Sequence, residues 1–285
     1  MNKILVPIDY SKSSLIAYEE AIVIAKQLKH DLVLLFVHET SLFQSNDYSD
    51  VIESGLKLKL KELGKTAEKQ GLKVDYLVRS GKPHKIILEV SSHIKAKFIV
   101  MGGHGETGFQ EKLMGSTTTK IVGQANCPVF TFKMKRKHTG FDEIILPLDL
   151  SKETKQKVKY AMEIAKAFNS TITVCSVLYN ARLDAKIKLE SQLEEVEEKI
   201  KSKNISCRSK LLIADYLPKA IIDFAESGGI NAVQGDLILL MTQQEKSIGE
   251  YLIGSFASKI LNSSKTPILS ICPTQSNFIY SIPTM

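Results

Sequence analysis

The two halves of this 285-residue chain repeat one another in a nearly constant register. The repeat pairs residues 5–11 with 145–151, residues 21–26 with 161–166, and Gly115-Ser116 with Gly254-Ser255. A period of about 140 residues is far longer than the unit of a solenoid, and a segment of that length can bury its own hydrophobic core. The sequence therefore predicts two similar domains, at residues 1–136 and 141–285, joined by a short basic linker.

Strand and helix signals alternate along each half. Apolar, β-branched runs such as residues 3–8 and 31–37 predict buried strands. The segment from Ser11 to Lys29 has apolar residues mostly at helical spacing, with Ser11 or Ser13 as its N-cap. The other predicted strands lie at residues 73–79, 98–101 and 129–132, and at 143–148, 171–178, 205–213, 236–241 and 268–272. Continuous apolar strands separated by helices predict an α/β fold with a doubly wound, mostly parallel sheet in each half.

A glycine-rich run follows the fourth predicted strand and indicates a function. After Met101 the chain reads Gly102, two residues, Gly105, nine residues and Gly115-Ser116, where a helix is predicted to begin. Glycines at such a turn let backbone N–H groups approach a ligand closely, because no Cβ stands in the way. The free amides and the dipole of a helix N-terminus favour an anion. The spacing therefore predicts a phosphate-binding loop.

Two commoner phosphate motifs do not describe this run. Residues 103–108 formally read Gly-x-Gly-x-x-Gly, but the dinucleotide fingerprint belongs to the first strand–helix turn and needs an acidic residue about 20 positions later. Here the run follows a late strand, and residues 125–128 read Ala-Asn-Cys-Pro. The Walker string, Gly-x-x-x-x-Gly-Lys-Ser/Thr, occurs nowhere in the chain. A glycine loop without a ligand is the plain alternative, and the long-range spacing to Gly115-Ser116 argues against it.

Charge and cysteine content limit the classes of function. The formal net charge is +7, and the excess falls in residues 1–140, the half with the complete glycine run, which fits an anionic ligand. The sequence has no RNA- or DNA-reading motif and no tryptophan, which argues against a nucleic-acid function. The four cysteines are scattered singly and are expected to be reduced structural thiols of a cytoplasmic protein. No signal peptide or membrane-length apolar run is seen in the sequence.

With its strand before and its helix after, the pattern Gly-x-x-Gly, nine residues, Gly-Ser resembles the nucleotide-binding signature of the universal stress protein family. The resemblance covers nearly the whole chain and implies a five-stranded parallel sheet of order 3-2-1-4-5 in each half. In that order strands 1 and 4 flank the point where the strand order reverses, and ligands bind beyond the carboxyl ends of such strands. Residues 7–9 and Gly102 are therefore expected to lie in one cleft.

The resemblance implies ATP, with Mg²⁺, as the ligand of the first half. Pro7, Ile8 and Asp9 are expected to flank the adenosine, with Asp9 near the ribose or a phosphate-bound cation. The other implied contacts are Val37 at the adenine, Met101 and Gly102 along the ribose, and Gly105, Gly115, Ser116 and Thr117 at the phosphates. For Asp9 the residues also allow a helix-capping role, and for Val37 a place in the core. No catalytic residue and no protein ligand of a metal is assigned.

The second half departs from the pattern. Thr242 is expected in place of the first glycine and Gln244 or Glu245 in place of the second, and the segment from Met241 to Gly254 counts one residue fewer than its counterpart. A Cβ at these positions hinders the close approach of a triphosphate. ATP is therefore expected in the first half alone.

The chain is interpreted as an ATP-binding module of stress response or signalling, because no general base, water-activating residue or Walker lysine is evident. One alternative is slow ATP hydrolysis or autophosphorylation, with Ser116, Thr117 or Thr118 near the γ-phosphate. Another is a nucleotide-independent scaffold. The domains are expected to pack as an intramolecular pseudo-dimer through residues 129–132 and 268–272, because exposed sheet edges need covering. A homodimer is left open, and the protein partner is unidentified.

Overall fold

The computed structural model describes residues 1–39, 49–103, 114–151, 154, 156–179, 183–227, 234–242 and 253–273, in which strands and helices alternate. The first half contains β1 (Lys3–Ile8), α1 (Lys12–Leu28), β2 (Asp31–His38), α2 (Ser49–Glu68), β3 (Val74–Ser80), α3 (Pro83–His93), β4 (Phe98–Gly102), α4 (Ser116–Gln124) and β5 (Val129–Phe132). The second half contains β6 (Glu143–Pro147), α5 (Gln156–Phe168), β7 (Thr171–Leu178), α6 (Leu183–Lys201), β8 (Cys207–Ile213), α7 (Leu217–Glu226), β9 (Leu237–Met241), α8 (Ser255–Ser263) and β10 (Ile268–Ile271). The predicted strand bounds hold to within two residues. Among these described helices, none is both long and apolar enough to cross a membrane.

One continuous sheet runs through both halves. Its strands lie in the order β3-β2-β1-β4-β5-β10-β9-β6-β7-β8, so each half, read from its outer edge, has the order 3-2-1-4-5. The pairs within a half are parallel. At the junction β5 and β10 pair antiparallel, with Leu269 opposite Phe130. Each last strand covers the edge that the other would expose, and the predicted class of tandem doubly wound α/β domains is confirmed.

The central strands are apolar along their whole length because helices cover both faces of the sheet. Phe98–Gly102 and Leu237–Met241 are buried at every position, as is typical of central parallel strands. Near the junction the ring of Phe130 lies 5.4 Å from that of Phe98 and 5.9 Å from that of Phe141, centroid to centroid. Large aromatic side chains bury about 150–250 Å² each, so the junction is part of the hydrophobic core.

Helix α1 fixes the turn that follows β1. Ser11 is its N-cap, and the Ser11 hydroxyl accepts the N–H of Ser14 at 3.2 Å, which decides between the two predicted caps. The helix ends at Leu28, because Lys29 takes a left-handed conformation with φ of 55° and its N–H bonds carbonyls of the last turn. The small residues that the helix buries completely are Ala17, Ala21 and Ala25. Their size lets α1 lie close on the sheet.

A buried ion pair anchors the linker between the halves. The guanidinium of Arg136 bonds both carboxylate oxygens of Glu20 on α1, and both side chains are less than a tenth exposed. The same guanidinium lies 4.8 Å from the centroid of the Phe141 ring, within the range of a cation–π contact. Lys97, before β4, bonds Glu163 of α5 at 2.9 Å. The halves are therefore joined by polar contacts as well as by the sheet.

Candidate functional site

A cleft opens at the carboxyl ends of β1 and β4, where the strand order of the first half reverses. Its volume is about 180 Å³. The predicted site residues that line it are Pro7, Ile8, Asp9, Val37, Met101, Gly102, Gly115, Ser116 and Thr117. Gly105, the remaining predicted site residue, lies in residues 104–113, outside the described part of the chain. Residues that are far apart in the sequence therefore meet in one place in the fold.

The turn after β1 brings Asp9 to this cleft. Oδ1 of Asp9 accepts the backbone N–H of Ser11 at 2.9 Å, which turns the chain from strand into helix. Tyr10 between them has a φ of 62°, a left-handed conformation that is unfavourable for a bulky residue and is held by its surroundings. Asp9 thus shapes the turn, and the helix-capping role that its position allowed belongs to Ser11.

Gly102 is required by packing, whatever the cleft binds. A Cβ at this position would lie 2.5 Å from Oγ and 2.7 Å from the carbonyl carbon of Ser13 in α1, far inside the optimal separation of nonbonded carbons. Only a glycine lets the end of β4 approach the first turn of α1 so closely. The first glycine of the run therefore has a structural role in addition to any contact with a ligand.

Two backbone hydrogen bonds close the base of the glycine-rich loop. The N–H of Gly115 donates to the carbonyl of Gly103 at 2.8 Å, and the N–H of Gly103 donates to that of Phe132 at 2.9 Å. Gly115 is the N-cap of α4 and makes no side-chain hydrogen bond to the helix. The first amides of α4, at Ser116 and Thr117, have no acceptor within the helix. The helix dipole adds partial positive charge at the same place.

The cleft contains further residues that the sequence reasoning missed: Ser14, Leu35, Pro83 and Ile87. Thr118, which the sequence had suggested only for the alternative activity, also lines it. Leu35 precedes Val37 by two residues and therefore shares its face of β2, so the strand period alone could have indicated it. Pro83 and Ile87 come from α3, which no motif had connected to the site. Thr118 is buried, and its hydroxyl donates to the carbonyl of Gly102 at 3.0 Å, which ties α4 to the end of β4.

Cationic side chains flank the cleft on α3 and α4. Lys82 is the N-cap residue of α3, Lys85 lies in its first turn, and Lys120 lies one turn after Ser116 in α4. Burial first, and then these three lysines, hold the pKa of His84 below its usual value of 6.5. His84 is therefore neutral at pH 7, and the positive charge beside the cleft belongs to the lysines. Such a field favours an anionic ligand.

Strand pairing gives the register of the second half. The counterpart of the cleft there, at the carboxyl ends of β6 and β9 where the strand order reverses, is termed the second crevice. Phe98 pairs with Ile4, and Leu237 pairs with Ile144, the residue 140 positions after Ile4. Phe98 and Leu237 are therefore equivalent, and the two fourth strands are 139 positions apart. The sequence comparison had paired the start of the two loops at a spacing of 140 positions, which is one residue too long for the fourth strands.

This register corrects the comparison of the two loops. The N–H of Gly254 donates to the carbonyl of Thr242 at 2.7 Å, the equivalent of the bond that closes the loop in the first half. Met241 therefore replaces Gly102, and the prediction that Thr242 does so is wrong. The predicted loss of one loop residue is also wrong, because the missing position lies before β9. The positions given to Gln244 and Glu245 are outside the described residues.

A buried lysine lies beside the second crevice. Lys157 of α5 is 2% exposed, and its ammonium group interacts with Asp149, after β6, and with Cys175 of β7. The equivalent positions of Lys157 and Cys175 in the first half are Ala17 and Leu35, both apolar. Burial lowers the pKa of Lys157 to about 8, and the Asp149 carboxylate opposes the lowering. The second crevice thus has a cation of its own.

Lys157→Met is expected to stabilise the protein at pH 7, because the removal of an ammonium group from water costs several kcal/mol and Lys157 is buried, whereas Asp149, the partner that it would leave, is not buried. The pKa of Lys157 is 10.5 in an ordinary setting and about 8 in the fold. Between these values the unfolded chain binds more protons, so this group's contribution to wild-type stability rises with pH. The advantage of the variant should therefore shrink from pH 8 to pH 10. Urea unfolding at pH 7, 8 and 10 measures it, and a variant less stable than wild type at pH 7 would contradict the argument.

The cysteines are free thiols. Burial raises the pKa of Cys127, Cys175 and Cys207 to about 12, and it also raises that of Cys272. Thiols with such pKa values stay protonated at neutral pH and are poor nucleophiles. This fits the structural role predicted for them.

The model of the universal stress protein family matches the chain twice, at residues 1–133 and 140–271. The chain belongs to the universal stress protein family, as its glycine signature predicted. Among its relatives in Methanocaldococcus jannaschii, universal stress protein MJ0531 is 32% identical over 142 residues, which are 47% of this chain and 84% of that protein. Universal stress protein MJ0577 is 28% identical over 154 residues, 47% of this chain and 95% of that protein.

A solved structure matches both halves together. The crystal structure of a universal stress protein from Archaeoglobus fulgidus superposes with a TM-score of 0.77 and covers 96% of this chain and 97% of that one, at 20% sequence identity. The similarity therefore extends to the fold of the whole tandem and is not confined to one domain.

Proposed function

We propose that the first half of the chain binds ATP with Mg²⁺, and that the protein acts through this half as a module of stress response or signalling. The observation that carries the proposal is the cleft at the switch point of the first sheet. The residues that the glycine signature singled out in the described part of the chain all line it. Open α/β sheets bind their ligands at such points.

We assign the phosphates to the start of α4. The amides of Ser116 and Thr117 lack helical acceptors, and Gly115 places no side chain between them and the cleft. Backbone donors at a helix N-terminus are a common way to bind phosphate. Lys82 and Lys120 both lie close enough to His84, the neighbour of the cleft residue Pro83, to lower its pKa, so the field there supports a strongly anionic group.

We assign the adenosine to the inner part of the cleft. The apolar side chains that line it are Pro7, Leu35, Val37, Ile87 and Met101. Ligand sites of this kind are mostly apolar, with a few polar groups that set orientation. A purine offers two apolar faces to such walls, and Asp9 at the mouth is the group for the ribose or for phosphate-bound Mg²⁺.

The alternative activities call for separate assays. For autophosphorylation the available hydroxyls are those of Ser116, which is exposed, and Thr117, which is partly exposed, because the Thr118 hydroxyl is buried and bonded to Gly102. Turnover of radiolabelled ATP distinguishes slow hydrolysis or autophosphorylation from binding alone. Nucleotide retained through purification distinguishes both from a nucleotide-independent scaffold.

One ATP per chain is expected, bound in the first half. The second crevice carries Met241 in place of Gly102 and adds the buried ammonium of Lys157, so its geometry and its charge both differ from those of the first. Isothermal titration of the intact protein with MgATP measures the stoichiometry, and Gly105→Val should remove the single site. Two equivalent sites, or binding at half stoichiometry in that variant, would show that the second crevice also takes ATP.

We extend the proposal to the arrangement and location of the protein. The antiparallel pairing of β5 with β10 supports an intramolecular pseudo-dimer of domains at residues 1–136 and 141–285. With both inner edges paired, a homodimer of the whole chain would have to use another surface. The free, protonated thiols support a cytoplasmic location, where disulfides are rare.

A further inference from the structure

The second half contacts the base of the glycine-rich loop through a side chain. Oδ1 of Asn262, in the last turn of α8, accepts the backbone N–H of Met114 at 2.9 Å. Met114 immediately precedes Gly115, the N-cap of the helix to which the phosphates are assigned. The side chain of Met114 is buried in the apolar cluster that contains Ile260 and Leu261 of α8. The returning end of the loop therefore rests on the other domain.

A lysine at the end of β5 binds the same turn of α8. Nζ of Lys133 donates to the carbonyls of Asn262 at 2.7 Å and Ser264 at 3.0 Å, at a helix end whose carbonyls lack helical donors. A Cβ on Gly103 would lie 2.7 Å from Cγ of Lys133, so the lysine stem packs directly on that glycine. Gly103 and Met114, the two ends of the loop, are thus held by one group of contacts, which we term the interdomain clamp.

The pseudo-equivalent place in the molecule has no such clamp in the described residues. Pairs related by the spacing of 139 are Asn262 and Gly123, Lys133 and Cys272, and Met114 and Ile253. Sγ of Cys272 lies 3.9 Å from the carbonyl oxygen of Gly123. The end of β10 therefore meets α4 in the same way as the end of β5 meets α8. Gly123 has no side chain that could accept the N–H of Ile253. The domain with the complete loop is the one whose loop the partner domain holds.

We propose that Asn262 is a positioning residue of the nucleotide site, supplied to the first domain by the second. It does not touch the assigned ligand position. It holds the amide of Met114, and thereby the placement of Gly115 and of the first amides of α4. Backbone donors bind phosphate well only when they are held close to the productive geometry. The inference rests on the proposed function and adds that the nucleotide site is incomplete without the second domain.

The test compares three variants of the full chain by MgATP titration and by amide hydrogen exchange without nucleotide. Asn262→Leu keeps the size of the side chain and removes the acceptor, and it should weaken ATP binding by about five- to tenfold, the effect of one lost hydrogen bond. It should also speed exchange at Met114. Asn262→Asp keeps the acceptor and should hold exchange at Met114 near the wild-type rate. Asn126→Leu makes the same chemical change at an exposed residue after α4 and should alter neither readout.

The outcomes separate this inference from the function on which it rests. Unchanged ATP affinity in Asn262→Leu, or unchanged exchange at Met114, would overturn the positioning role while the ATP site stands. A wild-type protein that does not bind ATP would overturn both. If the leucine variant does not fold, Asn262→Ala removes the same acceptor without the branched side chain and repeats the test.

Discussion

Gly115→Val is expected to abolish ATP binding in a protein that stays folded. Gly115 has φ of −59° and ψ of 148°, values that valine adopts without strain, so the backbone does not resist the change. The new side chain would occupy the space in front of the first amides of α4, where a phosphate has to approach. We expect a loss of at least about 100-fold in affinity, roughly 2.7 kcal/mol. Isothermal titration with MgATP on the folded variant measures it.

The second half provides a matched control for this change. Gly254 is the N-cap of α8, with φ of −54° and ψ of 149°, so Gly254→Val makes the same substitution in the same local geometry. It should leave both the affinity and the stoichiometry of ATP unchanged. Wild-type affinity in Gly115→Val would place the nucleotide site elsewhere, and a loss in Gly254→Val would show that the second crevice contributes.

Gly102→Ala is expected to destabilise the first domain by about 1–3 kcal/mol, the usual cost of overpacking. The added methyl group would lie 2.7 Å from the backbone of Ser13, and a main-chain atom in a capped helix turn cannot move aside as the end of a flexible side chain can. Either β4 or α1 must shift, and both line the cleft. For a protein of this size each kcal/mol lowers the melting temperature by about 2–4 °C. Thermal unfolding followed by circular dichroism measures the loss.

The matched control is Gly55→Ala in the interior of α2. A Cβ on Gly55 has no neighbour within 4 Å, and alanine favours an exposed helix over glycine by about 1 kcal/mol. The same substitution should therefore stabilise the protein at Gly55 and destabilise it at Gly102. Equal effects at the two sites would show that packing against Ser13 does not decide the identity of residue 102.

The parts of the fold that could be predicted depend on local signals. The apolar run of residues 3–8 predicts a buried strand whatever the order of the sheet. Ser11 predicts the start of the helix that follows it, and Gly115-Ser116 predicts the start of another helix. The cleft could also be anticipated, because the strand order of the family brings the ends of β1 and β4 together. These predictions needed the periodicity of the chain, one motif and the strand order that the family resemblance implied.

The features that escaped prediction arise from contacts between distant elements. Asn262 bonds Met114 across 148 positions, and nothing in the sequence around α8 indicates that contact. Lys157 resembles the many surface lysines of amphipathic helices, and only the packing of α5 shows that it is buried. The sequence comparison paired Met241 with Met101 because the two residues are identical, and this pairing was wrong by one position. The shift arises before β9, and only the strand pairing reveals it.

The antiparallel junction of β5 with β10 has a consequence for how such a protein can diverge. In a two-fold homodimer every substitution appears twice, once on each side of the axis. Here the two sides belong to one chain and differ in sequence, so Asn262 can bond Met114 while its counterpart Gly123 has no side chain to offer. Fusion of the halves therefore permits the two domains to specialise. One domain can keep the pocket, and the other can change its sequence to support that pocket.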